Sequence, residues 1–220
     1  MNMLKKITLT VLVIGMLFFS GQFLFSEIQL PEYEFAAGNW ELIGERLYQN
    51  DTQHGLAKVN IKVPQKGTMR YRFNAQFEGG MEDMHGGFGI HIFADSSYPA
   101  MSWGCGKSYL LWLNYDADPI LEEIPRGLSA QVYKSYSHSY MELVKNFNLN
   151  EYRYIIENFS PNTKLPIDII VNGKSGEVRI QNPLNENYYF TLDLENAAPM
   201  QGHWVALRTN SMAASFGLMD

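Results

Sequence analysis

The residues best suited to chemistry are aromatic. Tyr98, Trp103, Tyr136 and Tyr140 fall in the stretch from Asp95 to Tyr140, among Gly and Pro breaks and close to Lys107 and His138. Flat apolar rings of this kind stack on pyranose rings, and nearby polar groups then fix the orientation of the sugar. Arg70, Arg72, Asn74 and Gln76 recur at every second position and form a polar stripe that can supply such groups, and His91 alternates in the same way with Ile90 and Ile92. The chemistry these residues offer is recognition. The same residue types also tile the surface of an ordinary sheet protein, so both readings stand at this stage.

Covalent and metal chemistry find less support. Cys105, the one cysteine, sits in Trp103-Gly104-Cys105-Gly106; a single thiol forbids an intramolecular disulfide and is commonest as a small buried hydrophobe. Gly104-Cys105-Gly106-Lys107-Ser108 resembles the end of a phosphate loop, but Met101 stands where that motif needs its first glycine and a strand, not a helix, follows. His54, His85, His91, His138 and His203 share no zinc-like spacing. For calcium, the best candidates are Asp95, Asp116 and Asp118, each just after a strand, with solvated turn aspartates as the alternative.

The elements that must position these residues are strands. Val59, Ile61 and Val63 alternate with Lys58, Asn60 and Lys62, and Met69, Tyr71, Phe73, Ala75 and Phe77 alternate with the polar stripe. Successive strand residues point to opposite faces, so this spelling describes sheets with one buried and one wet face. Further strands are expected over Glu41 to Gln49, Phe88 to Phe93, Leu128 to Tyr136, Met141 to Leu149, Tyr152 to Glu157, Tyr188 to Leu194, Trp204 to Arg208 and Ala213 to Leu218. A short helix is the alternative over Tyr140 to Lys145. Tyr109 to Tyr115 is nearly continuous in apolar residues, which suits a strand buried on both faces. Ile167 to Val171 and Glu177 to Ile180 flank Asn172-Gly173-Lys174-Ser175-Gly176, a strong hairpin signal. About a dozen strands at roughly ten-residue spacing predict an all-β chain folded as two packed antiparallel sheets. Trp40, Trp112 and Trp204 are assigned to its core.

The C-terminal third carries a family resemblance. Ile167-Asp168-Ile169-Ile170-Val171-Asn172-Gly173, Gly176-Glu177-Val178, Gly202-His203-Trp204-Val205-Ala206-Leu207-Arg208 and Ala214-Ser215-Phe216 resemble the closing strands of laminin-G-like and concanavalin A-like jelly rolls. Trp40, Gly80 and Phe88-Gly89-Ile90 extend the likeness upstream, while Ala206 replaces the family's usual glycine. The resemblance implies a β-sandwich of the jelly-roll type, and it makes calcium at a loop rim an expectation of the same kind. It says little about function, because lectins, glucanases and adhesive modules share the fold. The glucanases of this family carry E-x-D-x-x-E on one strand face, so that two carboxylates flank the scissile bond. Glu78, Glu82 and Asp83 lack that spacing, and Asp116, Asp118, Glu122 and Glu123 lie in a loop broken by Pro119 and Pro125.

At the N-terminus, Lys5 and Lys6 precede an apolar run from Ile7 to Phe19, and Leu24-Phe25-Ser26 suits a cleavage site before Glu27. Residues 1–26 therefore read as a secretory signal and 27–220 as one domain, with an uncleaved membrane anchor as the alternative. The expected location is the periplasm or the cell exterior. Of the 220 residues 46% are hydrophobic, enough for a core, and the net charge of −6 argues against nucleic acid as a partner. The leading functional expectation is a non-catalytic binding module for a glycan or an envelope protein surface. A structural subunit of an extracytoplasmic assembly is the second, and a glycoside hydrolase the third.

Overall fold

The computed structural model describes residues 31–53, 55–154, 163–194 and 200–218, together with the backbone of Leu9–Thr10 and Glu27–Ile28. The signal segment assigned to residues 1–26 otherwise lies outside them, as do His54 and part of the strand expected over Tyr152 to Glu157. The chain divides into two units, residues 1–32 and 33–220. In the first, β1 (Leu9–Thr10) pairs antiparallel with β2 (Glu27–Ile28). Among the described residues no helix is long and apolar enough to cross a membrane.

The second unit is built from β3 (Tyr33–Ala37), β4 (Trp40–Ile43), β5 (Arg46–Gln49), β6 (Ala57–Lys66), β7 (Thr68–Gly80), β8 (His85–Ala94), β9 (Ser108–Asp116), β10 (Gly127–Ser135), β11 (Met141–Asn148), β12 (Lys164–Asn172), β13 (Glu177–Gln181), β14 (Tyr189–Asp193), β15 (Gln201–Asn210) and β16 (Met212–Gly217). They form two antiparallel seven-stranded sheets. The first runs β11-β10-β9-β8-β15-β6-β3 and the second β14-β13-β12-β7-β16-β5-β4. The expected two-sheet sandwich is what the chain forms.

The alternation works as strand geometry requires. Val59, Phe88, Ile90, Leu111, Val132, Val205 and Leu207 of the first sheet meet Tyr71, Ala75, Ile167, Ile169, Val171, Val178 and Phe216 of the second in one buried cluster. Phe216 links the layers: its ring lies 6.1 Å from those of Phe88 in the facing sheet and of Phe73 and Trp40 in its own. The Asn-Gly signal forms its hairpin, with the Asn172 side chain accepting from the Lys174 and Ser175 amides.

The strand expected over Met141 to Leu149 forms as the edge strand β11, where pairing with β10 overrides the helical alternative. Glu41 to Gln49, expected as a first strand around a turn at Gly44, is the hairpin β4–β5 folded at that residue, whose φ of +59° suits glycine. One expectation needs correction: Tyr152, expected to begin a strand, ends the 3-10 turn Asn150–Tyr152.

Candidate functional site

A cavity of about 60 Å³ lies between the sheets, but Phe73, Phe88, Leu111, Phe147, Ile169 and Phe190 line it, and almost nothing there is able to orient a polar ligand. The outward face of the first sheet is different. Strand register places Lys58, Arg208, Gly89, Trp112, Gln131 and Asn146 in one row across six strands. The next row holds Asn60, Ala206, His91, Leu110 and Tyr133. In an open sandwich this face would be wet. Here Lys58, Asn60 and His91 are fully buried.

The cover is the segment between β8 and β9, residues 95–107. Its ends are tied together: the Asp95 amide donates to the Lys107 carbonyl (3.2 Å), and the Asp95 carboxylate accepts from the Lys107 amide (2.9 Å). Its underside is pinned to the sheet. The Lys58 ammonium donates to the Ser102 hydroxyl and to the Gly104 carbonyl (3.1 Å), Asn60 Nδ2 to the Tyr98 carbonyl (3.0 Å), and Arg208 Nη1 to the Trp103 carbonyl (2.7 Å). The turn after β10 docks on its flank. Gly104 donates its amide to the His138 carbonyl, and Gly106 donates to His138 Nδ1, both at 3.0 Å. Gly106, with φ +54°, packs where a Cβ would strike Asp95. Its glycines let the cover lie this close.

The cover carries its aromatics to the rim. Trp103 is 58% exposed, and Tyr98, Tyr136 and Tyr140 are exposed beside it. None of these rings hangs free. Tyr98 stacks on His138 at 5.1 Å, and Tyr136 stacks on Tyr140 at 5.6 Å while both phenols donate to Glu142. Trp103 lies on the Arg208 guanidinium, which sits between it and Trp112 with its carbon 5.2 Å from each ring centroid. Holding a ring in place before a ligand arrives lowers the entropy lost on binding.

No protein-family model matches the chain, and no curated protein does. Solved structures do match in shape. A carbohydrate-binding module, CBM66 from Bacillus subtilis, superposes with a TM-score of 0.55 at 10% identity, covering 86% of this chain and 94% of that one. The potassium-bound carbohydrate recognition domain of Emp46p superposes with a TM-score of 0.55 at 11% identity, covering 85% and 84%. The metal-free form of that domain gives 0.52 at 12% identity, covering 84% and 85%. The fold is a concanavalin A-like jelly roll.

Within this jelly roll the residues singled out from sequence separate into two groups. Tyr98, Trp103, Lys107, Tyr136 and Tyr140 come together on and beside the cover. Arg70 and Arg72 do not join them, because β7 belongs to the other sheet. There Arg70 grips Asp168 with Nε and Nη2 at 2.9 and 2.6 Å, and Arg72 lies 3.6 Å from the same carboxylate. His91 lies under the cover rather than on a solvated face, its Nδ1 3.0 Å from the Ser108 hydroxyl. Trp112 is buried and Trp204 partly buried, but on the outward side of the sheet rather than between the layers: Trp112 packs over Gly87 and Gly89, and Trp204 joins Ala94, Cys105 and Ala206 beneath the cover.

The calcium candidates do not converge. Asp95 follows the last residue of β8, whereas Asp116 pairs with the first, His85, about 30 Å away along the strand. His85 Nε2 lies 3.0 Å from the Asp116 carboxylate, and Asp118 pairs with Arg126 at 2.8 Å. Among the described residues no group of three or more His, Cys, Asp or Glu is placed to hold a metal. Cys105 is buried, and burial pushes its thiol up to about 11, which leaves it protonated and unreactive at neutral pH.

The residues that sequence reasoning missed are Lys58 and Arg208. Burial lowers the pKa of both, that of Arg208 to about 10, which leaves its guanidinium cationic at neutral pH. Burial, then the nearby charges of Arg208, Lys58 and His138, hold His91 well below the ordinary histidine value of 6.5. The folded protein thus leaves His91 neutral where the unfolded chain takes up a proton. Stability from this group is present above pH 6.5 and is lost as pH falls below it, by at most about 1.4 kcal/mol per pH unit. Urea titrations at pH 7.5, 6.5 and 5.5 are expected to show this loss, and His91→Gln should flatten it, leaving the smaller contribution of His138, which burial also lowers. An equal slope in the variant would remove His91 from the account.

Proposed function

We propose that this protein is an exported, non-catalytic saccharide-binding module whose ligand lies on the aromatic rim of the segment that covers the outward face of the first sheet. The observation that carries this reading is the rim itself: four exposed aromatic side chains, gathered from two loops and each braced by a ring, a cation or a carboxylate. Exposed rings cost solvation, and pinning them in place is unexplained by stability alone. The carbohydrate-binding modules that share the fold support the same reading. A non-catalytic role is supported by the engagement of two carboxylates beside the rim, Glu142 with two phenols and Asp95 with the Lys107 amide. Export is supported by Lys5-Lys6, the apolar run after them and the small residue Ser26.

A glycan array probed with the purified protein tests the reading, and binding of at least one saccharide class is expected. Trp103→Ala should then weaken that binding by about 2 kcal/mol, roughly thirtyfold, since a rim aromatic commonly dominates such a contact. Its melting temperature should change little, because more than half of the ring is already in water. Recovery of the protein only in large assemblies, with no saccharide retained, would favour a structural subunit instead.

A further inference from the structure

The Trp103 indole has one face on a cation and the other toward solvent, and this asymmetry bears on what it can bind. The face of a free indole is electron-rich and attracts the C–H groups of neutral sugars. A guanidinium 5.2 Å below draws that density toward itself and adds its own positive potential. Arg208 is 4% exposed and Lys58, its neighbour across the strand pair, is fully buried. Among the described residues neither has a carboxylate within ion-pairing distance; Lys58 is met by hydroxyl and carbonyl groups and Arg208 by a carbonyl and two rings. Arg208 Nε, an N–H donor at this spot, is buried with no hydrogen-bond partner. A buried donor is costly to leave unmet, and a site that retains one beneath an exposed ring is arranged to receive negative charge.

Building on the saccharide reading, we infer that the Trp103 platform selects an acidic saccharide, one carrying a carboxylate, sulfate or phosphate ester, over its neutral counterpart. The anionic group lies against the solvent face of the indole, above Arg208, and the sugar ring continues onto Tyr98 or Tyr136. The chain as a whole is acidic, with a net charge of −6. Attraction to acidic polymers therefore does not come from its overall charge, and local placement of the cations has to provide it.

Isothermal titration with three pairs of probes tests this: oligogalacturonate against the same oligomer with its carboxylates reduced, dextran sulfate against dextran, and a glycerol-phosphate polymer bearing sugars against the free sugars. At least one acidic member should bind about tenfold tighter than its partner, weaken with added salt, and lose that advantage in Arg208→Gln but not in Lys174→Gln, which changes an exposed turn of the other sheet. Which pair responds identifies the anion. If Arg208→Gln does not fold, the Arg208 Nε–H resonance of the unaltered protein decides, and it should move on binding the acidic probe alone. Equal binding of acidic and neutral members overturns the inference and leaves the saccharide reading standing. Binding of none of these probes, together with a blank glycan array, overturns both.

Discussion

Gly89→Ala is expected to destabilise the protein by about 3 kcal/mol, at the upper end of what overpacking costs. Gly89 lies on β8 between Arg208 and Trp112, and a Cβ there would drive into the Leu111 carbonyl and meet Trp112 Cε3 at 2.8 Å. The first of these is backbone, in a strand hydrogen-bonded on both sides, so it has nowhere to move. The second is the indole beneath Arg208, so relief by shifting it would also unseat the cation. For a domain of this size the loss should appear as a fall of roughly 6–12 °C in melting temperature. Thermal unfolding of the variant beside the parent provides the measurement. A shift of under a degree would show that the strands part more easily than their packing suggests.

Phe216→Ala should cost about 4 kcal/mol, within the range for removing a buried aromatic ring. The ring is 3% exposed and touches both sheets through Phe88, Phe73 and Trp40. Truncation opens a void where the layers meet, and β16, which sits between β5 and β7, cannot close it without breaking register. Phe216→Leu keeps most of the volume and should cost about 1.5 kcal/mol. Urea denaturation of the two variants separates cavity formation from a general intolerance of change. Equal losses would show that ring geometry, not volume, is what the site requires.

Much of this architecture was legible because strand spelling is local. The alternation of Val59, Ile61 and Val63, the apolar run from Tyr109 to Tyr115 and the Asn-Gly hairpin each announce an element without reference to distant residues. The rim aromatics were legible for a similar reason, since residues of one loop stay together wherever the loop goes. What could not be read was the return of residues 95–107 over the sheet. Lys58, Asn60 and His91 are spelled as wet-face residues, and only a long-range covering segment turns them into buried ones. Arg70 and Arg72 failed for the converse reason: alternation shows which residues share a face but not which sheet owns it. One signal for the cover was present in the sequence. The glycines at 104 and 106, flanking a small cysteine, describe a backbone that must approach another closely, and Trp112 opposite Gly87 and Gly89 describes a ring laid flat on a strand rather than sunk between layers.

The placement of the tryptophans has an optical consequence. Trp40 and Trp112 are buried and Trp204 is partly covered, so Trp103 is the one indole that stands mostly in water. Its emission should be the reddest of the four and the one most open to acrylamide, while the others remain shielded. Selective quenching therefore reads the rim of the native molecule without any label, and a ligand settling on that ring would report its own arrival as a blue shift and a loss of quenching, in a signal the remaining indoles hardly contaminate.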